Sequence, residues 1–219
     1  MSANKPLPVV VLISGSGSNL QAIIDATQRG ELPVELRAVI SNQADAYGLK
    51  RAQQATIPTE ILDHAQFSDR PSYDKALQTL IDQYEPGLVV LAGFMRILTP
   101  EFVEHYLGRM INIHPALLPK FPGLHTHQRA IEENENEHGA TVHFVTSDVD
   151  SGPVIIQARV PVHPEDTPDV LAARVLEQEH KIYPEAIRLI AEGHITFVDN
   201  QAIYKGTALA ASGINSAIN

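Results

Sequence analysis

Five consecutive apolar residues, Val9-Val10-Val11-Leu12-Ile13, run directly into Ser14-Gly15-Ser16-Gly17-Ser18-Asn19-Leu20. A run this apolar reads as a strand covered on both faces, and such strands belong almost exclusively to parallel sheets packed under helices. The next stretch, Asn19 to Arg29, places Leu20, Ile23, Ile24 and Ala26 on one helical stripe and is closed by Gly30. A buried strand, a Gly/Ser turn and an amphipathic helix make up the opening of a βαβ unit, which constrains the chain to an α/β fold.

The alternation continues. Strands are predicted over 34–41, 58–62 and 88–92, with helices over 46–55 and 72–84 between them. Leu88 to Ala92 is the most apolar of these strands and is placed near the sheet centre. Thr99-Pro100 opens a short helix with Thr as N-cap and Pro at the first helical position. Arg109 to Ile113 is a strand that runs into His114-Pro115, and 120–126 is a loop around Pro122-Gly123. Thr141 to Val145 and Val154 to Val160 are two further strands. The short link between them makes the last part of the sheet antiparallel or mixed. Thr167-Pro168-Asp169 caps a long helix to Ala191 with Pro184 inside it. Strands 195–198 and 201–204 form a hairpin about Asp199-Asn200, and 206–219 reads as a loose tail.

The chain has 219 residues, of which 44% are hydrophobic and 19% charged, which suits one soluble domain of 1–205 plus the tail. Net charge is -10, which argues against a general nucleic-acid binder, since that needs a basic surface to displace counterions, and leaves room for a local basic pocket for a phosphate. There is no cysteine, which excludes disulfides, thiol nucleophiles and thiolate zinc sites. Met1 to Pro6 lacks the apolar core of a signal peptide and no run is long enough to span a membrane, so a cytoplasmic location is expected.

Three groups of residues carry chemistry. The Gly15–Leu20 turn offers backbone amides and a helix N-terminus to an anion such as a phosphate, or is simply a tight turn capped by Ser18. It is a poor dinucleotide fingerprint: Leu20 stands where a third Gly belongs, and the second strand ends in Ser41-Asn42 rather than in an acid. Asn112 and His114 are two apart at a strand end and share a face. Downstream lie Asp148 and Asp150 in Ser147-Asp148-Val149-Asp150-Ser151-Gly152-Pro153, where an acid can also be plain turn chemistry. An amide donor, an imidazole and a carboxylate together suit acyl transfer to an amine. His125-x-His127 is a weak metal signal because no third ligand has a convincing spacing. His143 reads as a surface residue or a pocket wall, and Arg96 as an anion or polar-ring contact, with a surface ion pair as the default expectation.

At these residues the chain resembles the glycinamide ribonucleotide formyltransferases, the folate-dependent transformylases of purine synthesis. The matching stretches are VLISGSGSNLQAIID, VVLAGFMRILTPEFV, INIHPALLPKFPGLHTHQRAI, HGATVHFVTSDVDSGPVIIQARVPV and QEHKIYP, which together span nearly everything up to Val198. The resemblance implies a formyltransferase-type open, mostly parallel twisted sheet with helices on both faces. It also implies a Rossmann-like, nucleotide-binding half over about 7–110 and a folate and catalytic half over about 111–205. It implies 10-formyltetrahydrofolate as co-substrate, no metal, small-molecule substrates, no nucleic acid or membrane partner, and a monomer or homodimer. By similarity, Asn112, His114 and Asp150 are the catalytic residues. Gly17, Ser18, Asn19 and Glu179 contact the ribonucleotide, while Arg70, Met95, Arg96, Ile97, Leu98, Asn112, Val145 and Asp150 contact the folate. One departure is visible: Ser-Asp-Val-Asp-Ser-Gly follows Thr146 where many relatives carry a second acid and Gly-Gly.

Alternatives stay open at this stage. They are another folate formyltransferase, a formyltetrahydrofolate hydrolase, a nicotinamide-dependent oxidoreductase, and a non-catalytic phosphate-ligand module.

Overall fold

β1 (Leu7–Ile13) buries Val9 through Ile13 completely, and β2 (Val34–Ser41) pairs with it in parallel. β1 also pairs in parallel with β4 (Leu88–Leu91), and β2 with the short β3 (Thr59–Ile61). These elements come from a computed structural model that describes residues 5–216. Among those residues the strands build one mixed, mostly parallel eight-stranded sheet and a separate three-stranded antiparallel sheet, with helices between them. The chain divides into two compact units at the Ile111/Asn112 junction.

In the first unit the helices are α1 (Ser18–Gln28), α2 (Tyr47–Gln54), α3 (Arg70–Asp82) and α4 (Pro100–His105). Leu20, Ile23, Leu77 and Ile81 are fully buried, as the helical stripes require. Val89 donates to the Arg109 carbonyl on the side of β4 away from β1, so β4 is interior to the sheet. The Thr99 hydroxyl accepts from Phe102 N–H with Pro100 at the first helical position, the cap expected from the dipeptide. α1 begins at Ser18, one residue earlier than the expected start at Asn19. Gly17 at φ 68, rather than Ser18, is the N-cap residue.

In the second unit β6 (Glu137–Phe144) pairs antiparallel with β7 (Val154–Pro161), and the register shifts between Val142 and His143. α6 (Pro168–Ala191) lays Leu171, Val175, Ile182, Ala186 and Ile187 against both strands. β8 (Ile195–Val198) and β9 (Gln201–Tyr204) form the expected hairpin. Asp199 and Asn200 supply the two positive φ angles that such a turn needs.

Two segments differ from expectation. Residues 126–132, to which the sequence assigned no element beyond the 120–126 loop, form a short helix, α5 (Thr126–Glu132). The segment from Gly206, read as a loose tail, contains β10 (Thr207–Ala208) and β11 (Ile214–Ser216). β11 pairs in parallel with β7, with Ile214 opposite Ile156. An open β7 edge offers unpaired backbone groups, and a short polar segment with a glycine ahead of it can satisfy them. Residues 1–4 and 217–219, at the start of the N-terminal reading and at the end of the tail, lie outside the described residues.

Candidate active site

β5 (Met110–His114) ends with Asn112 and His114 on one face, because strand side chains alternate. In the second unit Asp150 reaches the same place from the β6–β7 loop. Its Oδ2 lies 3.4 Å from His114 Nδ1 and accepts from Gly123 N–H at 2.8 Å. Its Oδ1 lies 3.7 Å from His143 Nε2. Both partners are well buried, with the His114 side chain 6% and the Asp150 side chain 10% exposed. Asp148, the other acid of this loop, is exposed.

The protons follow from the partners. His114 Nε2 lies 2.8 Å from the Phe121 carbonyl oxygen, which can only accept, so Nε2 carries a hydrogen. Nδ1 then meets the carboxylate as a bare lone pair unless a further proton lies between them. The His114–Asp150 pair is therefore built to hold one transferable proton. His143 shows the opposite arrangement. Its Nδ1 lies 2.8 Å from the Phe144 carbonyl, so that nitrogen donates, and Nε2 receives Asn112 Nδ2 at 3.3 Å. Burial first, and His114 to a lesser degree, lower the His143 pKa, so its ring is neutral.

The loop after His114 is pinned from several sides. The Thr141 hydroxyl donates to the Ala116 carbonyl at 2.6 Å and accepts from Leu118 N–H at 3.1 Å. Buried Gln157 donates to the Leu118 carbonyl at 2.8 Å, and Thr126 donates to that of Pro115 at 2.6 Å. These bonds tie the carbonyls of Pro115, Ala116 and Leu118 in the loop that carries Phe121.

In the first unit the Gly15–Leu20 turn is shaped by a close approach. A Cβ on Gly17 would sit 2.6 Å from Gly48 Cα. Gly48 N–H binds the Gly15 carbonyl at 3.0 Å, so the turn rests against the start of α2. Ser18 and Asn19 open α1, and no acid stands in the first turn. Arg51 adds a positive charge from α2, its Nε donating to the Ser16 carbonyl at 2.8 Å. An anion site of amides, helix dipole and guanidinium is the natural reading.

The segment after β4 is held by a relay from neighbouring strand ends. Met95 N–H binds Ser14 Oγ at 2.8 Å, and Ser14 in turn donates to Asn42 Oδ1 at 2.5 Å. Met95 and Ile97 are left exposed, an apolar pair beside Leu98. Arg96 lies 5.9 Å from the Tyr73 ring, and its Nε is buried without a hydrogen bond. That contact replaces the surface ion pair considered for it. Arg70 is exposed at the start of α3. Burial raises the Asp74 pKa while Thr99, Arg70 and Arg96 pull it down.

Residues 7–187 match the family model described as formyl transferase. The chain belongs to the formyl transferase family. Within that family it is 55% identical over 205 residues to the phosphoribosylglycinamide formyltransferase of Escherichia coli (strain K12), covering 94% of this chain and 97% of that one. The enzyme of the same name from Haemophilus influenzae is 49% identical over the same shares. The solved phosphoribosylglycinamide formyltransferase of Coxiella burnetii, in complex with CHES, superposes with a TM-score of 0.92 at 58% identity. That match covers 96% of this chain and 99% of that one.

Against this family background, the second unit gathers Asn112, His114 and Asp150 as the sequence suggested. Val145 follows β6 directly, and Glu179 is buried on α6 at 7% exposure. His125 and His127 do not converge on a common point. His127 packs edge-on against His138 with ring centroids 5.1 Å apart. Among the described residues no group of three or more His, Cys, Asp or Glu is arranged to hold a metal ion, and no helix is long and apolar enough to cross a membrane. Arg51 carried no local sequence signal and reaches Ser16 across 35 positions. His143, read as a surface residue or a pocket wall, is buried and meets Asn112 across 31 positions. Only the packed fold brings either pair together.

Proposed function

We propose that this chain transfers the formyl group of 10-formyltetrahydrofolate to the amine of glycinamide ribonucleotide, giving formylglycinamide ribonucleotide and tetrahydrofolate in purine synthesis. The observation that carries the chemistry is the contact of the His114 Nδ1 and Asp150 Oδ2 atoms at 3.4 Å beside the Asn112 amide.

The formyl carbon must be attacked by a neutral amine, and its oxygen then carries negative charge. Asn112 offers the second hydrogen of its NH2 group to that oxygen, and the imidazolium that His114 becomes on taking the amine's proton adds positive charge beside it. Removing one donor of this kind typically costs about 3 kcal/mol of transition-state stabilisation. The attacking amine must also lose a proton, and the folate nitrogen must gain one as the C–N bond breaks. His114 Nδ1, a lone pair beside Asp150 Oδ2, accepts the proton that the amine loses, and the pair then delivers that same proton to the folate nitrogen as the C–N bond breaks. His114 stays oriented throughout by its bond to the Phe121 carbonyl.

The remaining contacts are carried over from the family resemblance, and their charge and polarity agree with it. The Ser18 and Asn19 amides, with Gly17 allowing close backbone approach, suit the ribonucleotide phosphate, and Glu179 suits its polar groups. Arg70 and Arg96 suit the carboxylates of the folate tail. Met95, Ile97, Leu98 and Val145 suit its ring.

An absorbance assay tests the reading. Loss of the formyl group changes the ultraviolet spectrum of the folate. The change should require glycinamide ribonucleotide and should yield its formylated product. A spectral change that proceeds equally without the amine would assign a hydrolase instead.

A further inference from the structure

We propose that His143 is a positioning residue for the Asn112 amide: as the neutral Nδ1–H tautomer, it accepts one hydrogen of the Asn112 NH2 group and so fixes the other hydrogen as the donor to the formyl oxygen. This inference rests on the transfer reaction proposed above.

A side-chain amide is nearly symmetrical in shape, and nothing local to Asn112 decides which of its ends faces the reacting atoms. The decision is made by His143. The Phe144 carbonyl at 2.8 Å takes the Nδ1 hydrogen, because an oxygen of that kind cannot donate. A neutral ring then has a lone pair on Nε2. That lone pair lies 3.3 Å from Asn112 and accepts only from the NH2 end. The planar NH2 group has two hydrogens at a fixed angle, so holding one aims the other.

The fold protects the arrangement. His143 is 2% exposed and lies where the β6–β7 register shifts, between Val142 opposite Ile156 and His143 opposite Val154. Bulges of this kind re-aim a side chain. Two charged or titratable groups face its ring, Asp150 at 3.7 Å and His114, with opposite effects, and burial outweighs the pull of the carboxylate. A hydrogen on Nε2 would instead point at Asp150 Oδ1 and turn away the Asn112 NH2 group. The amide would present its oxygen to His143, and its donor would be lost to the reaction.

The kinetic test compares two variants. Gln can place a carbonyl oxygen near the Nε2 position, whereas Asn reaches only as far as Nδ1. His143→Asn should lower kcat roughly 10- to 100-fold, in the range of a misaimed transition-state donor. KM for both substrates should stay within about 2-fold, because the lost interaction belongs to the transition state. His143→Gln should recover kcat to within about 5-fold of wild type. A His143→Asn enzyme with kcat within about 2-fold of wild type, or a folded His143→Gln enzyme as slow as His143→Asn, would overturn the proposal.

The second measurement needs no variant activity and no substrate. Histidine 15N NMR of the wild-type protein at neutral pH, with His143 assigned from the spectrum of His143→Gln, should show hydrogen on Nδ1 and none on Nε2. The opposite tautomer, or a doubly protonated ring, would overturn the inference. Wild-type turnover of the ribonucleotide amine separately tests the reaction itself, so failure of the reaction and failure of the positioning role are distinguished.

Discussion

Asp150→Asn separates the charge of this carboxylate from its shape. Asp150 Oδ2 accepts from Gly123 N–H at 2.8 Å and faces His114 Nδ1 at 3.4 Å. In the variant, an amide oxygen at the Oδ2 position can keep the Gly123 bond, which puts the NH2 group at the Oδ1 position, beside His143 Nε2. Shape and the Gly123 bond are kept, so stability should change by about 1 kcal/mol or less. The proton, however, is no longer transferable, because an amide does not give up its hydrogen. The lost charge is substantial as well. Opposite unit charges at 3.4 Å interact by roughly 5 kcal/mol at an effective dielectric constant of about 20. Only the share that grows in the transition state reaches the rate. A loss of at least ~100-fold in kcat, about 2.7 kcal/mol, is expected, with folate affinity changed far less. Steady-state assays by folate absorbance and a urea titration read both quantities. Asp148→Asn is the control and should leave turnover within about 2-fold. Near-normal turnover in Asp150→Asn together with a slow Asp148→Asn would show that the wrong carboxylate carries the proton.

Other perturbations test the first unit and the buried histidines. Ser18→Asp puts a carboxylate where the ribonucleotide phosphate is placed, yet an acid in the first turn of α1 favours the helix. Calorimetry should show ribonucleotide affinity falling at least ~10-fold with folate little changed, and equal weakening of both would remove the phosphate site from this turn. Gly17→Ala forces φ 68 on a residue with a Cβ and drives that Cβ to 2.6 Å from Gly48 Cα, which is backbone and cannot swing aside. Urea unfolding should show a loss of about 2–4 kcal/mol, and a loss below about 1 kcal/mol would mean that the contact relaxes freely. The His138 pKa is lowered from 6.5 to about 4, by burial and then by His127. The unfolded chain therefore binds more protons in that range, so this stabilisation is complete above 6.5 and is lost as pH falls toward about 4. The loss is on the order of 3 kcal/mol. His138→Phe should flatten part of this slope in denaturation midpoints measured across that range, and an unchanged slope would assign it to other groups.

Much of the architecture is legible in local pattern. The Val9–Ile13 run, the stripe of α1, the Thr99-Pro100 and Thr167-Pro168 caps and the Asp199-Asn200 hairpin each depend on residues within a turn or two of one another. Side-chain period and cap chemistry are local properties, so a sequence reader recovers them. The shared face of Asn112 and His114 is of the same kind. Turn chemistry could account for either acid; Asp148 was the better candidate for it, and Asp150 was favoured with Asn112 and His114, a choice the family motif then matched. Tertiary structure decided the rest. Asp150 meets Gly123 from 27 positions away, His143 is aimed at Asn112 by a register shift between strands, and β11 fills a β7 edge that no tail sequence advertises. The tautomers of His114 and His143 depend on which backbone carbonyl each ring meets, Phe121 for one and Phe144 for the other. Such pairings are set by strand register and loop closure across the whole chain. The chemistry available was written in residue types, and the direction of each proton was decided only by packing.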